Sequence, residues 1–255
     1  MIGRLPDFFL DQEQVIRYNG AKRLLVYIYD FPMQISFTMQ DLLSAGAHFG
    51  HIRQKYNPKM KPFVYAVREG VHLIDLEKTV VQLSGALDYL AALKAEGKKV
   101  LFVCTKPHTN DIVKEAAIAT GMPFICYRWP GGMLTNFNTL KKQLEKLTKL
   151  EALVGTPAWD TMSKKDKSRA SMQIAKLSQS FEGIKNMHGL PDALFIVDTI
   201  KEKTAVAEAR TLKIPMVALL DTNSNPEGIA YPVPMNDDAK SAVELVMGEI
   251  KKALK

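Results

Sequence analysis

Two periodicities govern where apolar residues fall along this chain. Between residues 76 and 95, Val80, Leu83, Leu87, Leu90 and Leu93 recur three or four positions apart, the spacing that gathers side chains on one face of a helix. Gly97 follows as a stop signal. The next stretch, 99–104, is almost continuously apolar and carries β-branched residues, the pattern of a strand buried on both faces of a parallel sheet. A helix over 110–119 and a short strand over 123–127 come after it. The alternation resumes late in the chain, with a strand over 193–197, a helix over 204–212, a strand over 215–220 and a closing helix over 237–254. Ahead of this series, Thr38 caps a short helix over 40–45 that ends at Gly46, and strands over 63–67 and 71–74 flank a turn at Glu69 and Gly70. Strand–helix–strand alternation with short links predicts an α/β fold built on a doubly wound parallel sheet.

A long interruption, 134–188, separates the two halves of that pattern. Phe137, Leu140, Leu144, Leu147 and Leu150 form one stripe at helical spacing, and Ile174, Leu177, Phe181 and Ile184 form a second. Val154, Gly155, Thr156 and Pro157 break the two apart, and Ser163 with Asp166 three residues on reads as the cap that starts the second helix. Two helices with narrow apolar seams and charged backs predict an antiparallel coiled-coil hairpin inserted in the sheet domain. The expected plan is a sheet domain over 33–133 and 189–255, with a helical hairpin over 134–188. Residues 1–32 stand apart. Arg4, Arg17, Lys22 and Arg23 balance Asp7, Asp11, Glu13 and Asp30 without a helical stripe, so the expectation is a peripheral extension, or a translation start near Met33.

Composition narrows the function classes. At 255 residues with 47% hydrophobic and 24% charged side chains, the chain is globular, neither disordered nor collagenous. Cys104 and Cys126 are the only cysteines, which excludes a disulfide scaffold or a four-cysteine zinc site and fits a reducing cytoplasm. No apolar run approaches the roughly 20 residues of a membrane helix, so no membrane partner is expected. Basic residues exceed acidic ones by 34 to 27, a net charge of +7 that points to a polyanionic partner. The excess is local. Residues 51–68 carry five basic side chains and no acid, and residues 128–176 carry ten against four.

The basic segments also hold the residue types that RNA recognition uses. His51, Arg53, Lys55, Asn57 and Lys59 are interleaved with Tyr56, Phe63 and Tyr65: cations for phosphate, rings for unpaired bases, amides for edges or sugars. Phe63 and Tyr65 alternate in a strand and read as core. After the short strand, Arg128 and Trp129 precede an open turn at Pro130, Gly131 and Gly132, whose glycines permit close backbone approach. Lys164 and Lys165 begin a further basic cluster at the hairpin tip. His48 and His51 are spaced for a shared metal with Cys104, Asp198 or Asp221, but without a second local ligand pair they read as hydrogen-bonding or stacking histidines, and neither metal nor cofactor is expected. An enzyme would use the carboxyl edge of the sheet, where Thr105, Lys106, His108, Asp198, Asp221 and Asn223 fall, yet no nucleophile–base–orienter set is found among them. Phosphate-cradling and hydrolase signatures are missing. A third alternative is an interaction module whose hairpin docks a protein.

Ordered motifs then carry a resemblance. The stretch from Leu42 to His51, Asn57 to Met60, Ile74 to Thr79, Trp129 to Asn136, Pro191 to Asp198, and Asp221 to Asn223 together resemble the bacterial form of the ribosomal protein S2 family, from about Thr38 to Lys255. The resemblance implies a flavodoxin-like sheet domain with a coiled-coil insertion and a structural, non-catalytic role on the small ribosomal subunit in the cytoplasm. It implies small-subunit ribosomal RNA and neighbouring ribosomal proteins, including ribosomal protein one, as partners at the head–body junction. His51, Arg53, Asn57, Lys59, Arg128, Trp129, Gly131, Gly132, Thr135 and Asn136 are the positions it marks as RNA contacts. The 1–32 extension departs from the family pattern.

Overall fold

A computed structural model of the chain describes residues 35–255, so the 1–32 extension lies outside the described residues. The first element, α1 (Met39–Ser44), starts at a reciprocal cap: the Asp41 amide donates to the Thr38 hydroxyl at 3.2 Å while the Thr38 amide donates to the Asp41 carboxylate at 2.7 Å. Three short strands follow, β1 (Phe49–Ile52), β2 (Val64–Arg68) and β3 (Val71–Ile74). They form a small antiparallel sheet in the order β1-β3-β2. β1 is absent from the sequence pattern because Gly50 and His51 interrupt any apolar alternation. Short 3₁₀ turns at Arg53–Lys55 and Pro58–Phe63 join β1 to β2.

The main body runs through α2 (Leu76–Ala95), β4 (Val100–Val103), α3 (Asn110–Thr120), β5 (Phe124–Ile125), α4 (Phe137–Leu153), α5 (Pro157–Asp160), α6 (Lys164–Phe181), β6 (Ala193–Val197), α7 (Lys203–Thr211), β7 (Met216–Leu220), β8 (Tyr231–Pro234) and α8 (Lys240–Ala253). All five strands of its sheet are parallel, in the order β5-β4-β6-β7-β8. That is the flavodoxin-like order, in which the chain reverses direction across the sheet between β4 and β6. β8 is the strand the sequence pattern misses. Its Tyr-Pro-Val-Pro run reads as a breaker, but an edge strand has only one neighbour to bond, so it tolerates proline.

The continuous apolar runs are explained by two cores, one on each face. Val100, Phe102, Ala193, Phe195, Val217 and Leu219 face α2, α3 and α8, with the Phe102 and Phe195 rings 5.2 Å apart. The alternate residues Leu101, Val103, Leu194, Ile196, Met216 and Ala218 face the opposite cluster with α4 and α7. Both faces are dry, so every position in these strands must be apolar.

α4 and α6 sit between β5 and β6 in the chain and pack on each other. Leu140, Leu144, Leu147 and Phe181 are buried and Ile174 and Leu177 pack alongside. Glu151 on α4 accepts from Ser178 at 3.1 Å and Lys185 at 2.6 Å. Ser163 caps α6 through the Asp166 amide at 3.2 Å, and its hydroxyl returns a bond to the Asp166 carboxylate at 2.7 Å. The chain then returns beneath β5 at Gly183, where a Cβ would lie 2.2 Å from the Phe124 carbonyl oxygen. No helix among the described residues is long and apolar enough to cross a membrane.

Candidate nucleic-acid interface

In sheets of this strand order a ligand normally sits at the carboxyl edge, between the strands where the order reverses. Here that gap, at the ends of β4 and β6, is filled by the chain's own ions. The Lys106 ammonium lies 2.9 Å from Asp198, 2.6 Å from Asp237 and 2.6 Å from Asp238. Burial opposes its charge, but the surrounding carboxylates outweigh that and hold it above the ordinary lysine range. Asp237, enclosed and next to Asp198 and Asp221, is pushed up to about 8, chiefly by burial, and its Oδ2 has no hydrogen-bond partner among the described residues. Alongside, Glu202 accepts the Thr105 amide at 2.7 Å and the Thr105 hydroxyl. Thr105, Lys106 and Asp198 are thus committed to one another or to their neighbours.

β1 brings His51 against this edge. Gly50 makes that approach possible, because a Cβ there would lie 2.5 Å from the Thr222 methyl. The His51 amide donates to the Thr222 hydroxyl at 2.8 Å. Its ring Nδ1 is 2.8 Å from the buried Asp221 carboxylate, and Nε2 is 3.1 Å from the Asn223 amide nitrogen. With the proton assigned to Nδ1, both ring nitrogens are satisfied in the neutral form. The bond to Asp221 raises the His51 pKa above 6.5, against the opposing effect of burial. His51, Asp221 and Asp238 present donor atoms within 4.8 Å of one another, an arrangement able to take a divalent cation; His48 is not part of it. His48 instead packs on Phe49, with ring centroids 4.0 Å apart.

Downstream of β1 the chain is anchored on its inner side and charged on its outer side. The Asn57 amide donates to the Thr222 carbonyl at 2.9 Å, and its side chain accepts from the Lys59 amide at 3.0 Å. Tyr56 stacks on His72 with centroids 4.1 Å apart, and Met60 is fully buried. Arg53, Lys55, Lys61 and Arg68 are exposed and have no carboxylate in ion-pair range among the described residues. Lys59 is paired with Glu227. Phe63 is half-buried against the core, whereas Tyr65 is 77% exposed, the reverse of its expected core role.

The glycine turn after β5 is organised by a residue the sequence pattern does not single out. Glu208, buried on α7, accepts the Trp129 indole N–H at 3.0 Å and the amides of Gly132 at 2.8 Å, Leu134 at 2.9 Å and Thr135 at 3.2 Å. The Thr135 hydroxyl adds a bond at 3.3 Å. Burial acts against its charge, but these donors outweigh it and hold the carboxyl below its ordinary value of 4.5. Trp129 is only 8% exposed, while Arg128, Gly131, Thr135 and Asn136 lie at the surface. The Asn136 side chain accepts from the Thr139 hydroxyl at 2.8 Å. The only signal for Glu208 in the sequence is an acid among the apolar positions of Ala205, Val206 and Ala209.

These two segments are linked through α7. Glu227, which pairs with Lys59, also accepts through its backbone carbonyl from Arg210, two residues beyond Glu208. Met60 and Trp129 belong to the same apolar cluster. Lys164 and Lys165 stand exposed at the start of α6, on the far part of the helix pair.

Comparison with known proteins supplies a family. The family model described as Ribosomal protein S2 matches residues 42–255. A Porphyromonas gingivalis protein named small ribosomal subunit protein uS2 is 44% identical over 221 residues, covering 87% of this chain and 78% of its own length. Proteins of the same name from Coprothermobacter proteolyticus and Dehalococcoides mccartyi are each 43% identical, over 85% of this chain and 81% and 88% of their own lengths.

Proposed function

This chain belongs to the ribosomal protein S2 family, and on that footing we propose that it is a structural constituent of the small ribosomal subunit that binds small-subunit ribosomal RNA. The family is non-enzymatic, and so is this chain. Its place is the cytoplasmic ribosome, at the head–body junction, where it supports docking of ribosomal protein one beside neighbouring small-subunit proteins.

One observation carries the RNA reading. Two segments, 53–61 and 128–136, are tied to α7 through Glu227 with Arg210 and through Glu208, and their exposed Arg53, Lys55 and Arg128 have no carboxylate partner among the described residues. Exposed cations on a fixed frame match a phosphate backbone, and backbone at an open glycine lets a strand approach closely. His51, Asn57, Lys59, Gly131, Gly132, Thr135 and Asn136 complete the interface in this reading, with Trp129 acting from below. The sheet domain is assigned to 33–133 and 189–255. The helix pair in 134–188 is an antiparallel coiled coil whose tip, at Lys164 and Lys165, meets phosphate away from the sheet.

Gradient fractionation of cell extract, followed by RNA crosslinking of the intact protein, tests the proposal. The expected result is co-sedimentation with small subunits and crosslinks from both segments to small-subunit RNA. Free protein without such crosslinks would refute it.

A further inference from the structure

We infer that Glu208 is the positioning residue of the RNA-facing loop, holding 128–136 in shape from inside while occupying the anion-binding concavity that its glycines would otherwise offer. The inference rests on the reading of that loop as an RNA contact.

Successive backbone amides in an open glycine turn such as Pro130-Gly131-Gly132 can cradle an anion. Its converging amides, those of Gly132, Leu134 and Thr135, are instead given to Glu208, together with the Trp129 indole. One carboxylate oxygen takes Trp129 and Gly132, and the other takes Leu134 and both the amide and hydroxyl of Thr135, which fills the roughly four acceptor sites of a carboxylate. No cation pairs with Glu208 among the described residues, so peptide, indole and hydroxyl dipoles balance its charge. The acceptor sits on α7, a helix packed on the sheet, rather than in the loop itself. Its charge also repels any phosphate from the inside of the turn. RNA is left with the outer side: the Arg128 guanidinium and the backbone at Gly131, where even an added Cβ would meet nothing within 4 Å. Glu208 therefore decides which side of the loop meets RNA.

The test uses the full-length protein and a small-subunit ribosomal RNA transcript, with E208Q, R128A and the double variant. Readouts are amide exchange at Gly132, Leu134 and Thr135, RNA affinity and its salt dependence. E208Q is expected to speed exchange of those three amides at least tenfold, weaken RNA binding about tenfold, and lower the salt slope by about one, as R128A does. In the R128A background E208Q should add little, since both act on the same contact. W129F, which deletes one donor and keeps an aromatic ring, should act in the same direction more weakly, and it takes over the test if E208Q does not fold. Faster loop exchange with undiminished affinity, while R128A does weaken binding, would overturn the positioning role and leave the RNA reading intact. Unchanged affinity in R128A would overturn the loop reading itself, and the inference with it.

Discussion

Lys106 and Asp237 lie 2.6 Å apart at the gap between β4 and β6, the place where sheets of this order usually open to a ligand. The lysine also neutralises Asp198 and Asp238. Replacing it with methionine leaves Asp198 and Asp238 without that counter-charge and Asp237 without its hydrogen-bond donor. K106M is expected to cost about 3–5 kcal/mol of folding stability, the usual penalty for removing one partner of a buried ion pair. Urea unfolding checks this; an unchanged midpoint would show the network to be dispensable.

Glu227 pairs with Lys59, one of the cations proposed to meet RNA. The pair is exposed, with side chains about half or more open to solvent, so it contributes little to stability, of order 0–1 kcal/mol. E227Q should therefore leave thermal unfolding almost unchanged, yet strengthen ribosomal RNA binding a few-fold at low salt by freeing a cation. Weaker binding would contradict the assignment of Lys59 to the interface.

Charge reversal at Arg53 and Lys55 removes cations that no carboxylate among the described residues shares. The double variant should incorporate poorly into small subunits, and its log–log salt dependence should flatten by roughly 0.9 for each phosphate no longer neutralised. Normal incorporation would exclude this segment from the interface.

Gly183 lies where the helix pair returns to the sheet. A methyl at that site would overlap the Phe124 carbonyl, which is backbone and has no rotamer to escape into. G183A should destabilise the chain by about 1–3 kcal/mol. Hydrogen exchange should show the loss centred on β5 and the root of α6, while α2 and α8 remain protected.

Ser36 ties the start of the described chain to α8 through Glu249, donating from its amide at 3.3 Å and from its hydroxyl, while Lys252 sits 2.9 Å from the same carboxylate. Burial opposes the Glu249 charge, but these partners outweigh it and hold its pKa below 4.5. A depressed folded pKa means stability that is present above 4.5 and lost as pH falls through the lower folded value. S36A should therefore cost about 1 kcal/mol at pH 7 and progressively less below pH 4.5. A cost independent of pH would assign the effect to packing rather than to the carboxylate.

How far the sequence reaches depends on the range of the forces involved. Burial on both faces of β4, β6 and β7 leaves an apolar run that is plain in the chain itself. The stripe of Leu83, Leu87 and Leu90 marks α2 in the same way, and the caps at Thr38 and Ser163 act within three residues. Basic segments and glycine turns are equally visible, because composition needs no partner to be read.

What the sequence could not reveal depends on residues far apart in the chain. β8 exists because an edge position excuses its prolines, and β1 because Gly50 can abut Thr222, 172 residues later. Trp129 looks like a stacking platform, but its indole N–H is bonded to a carboxylate 79 residues away and the ring is buried. By itself, then, the sequence determined the long helices and central strands, their apolar faces and the two basic segments, since each follows from local periodicity or composition. Only the tertiary structure decided which atoms of those segments are spent inward and which remain for a partner, because a hydrogen bond to Glu208 or an ion pair with Glu227 is set by the folded chain bringing distant groups within about 3 Å of each other.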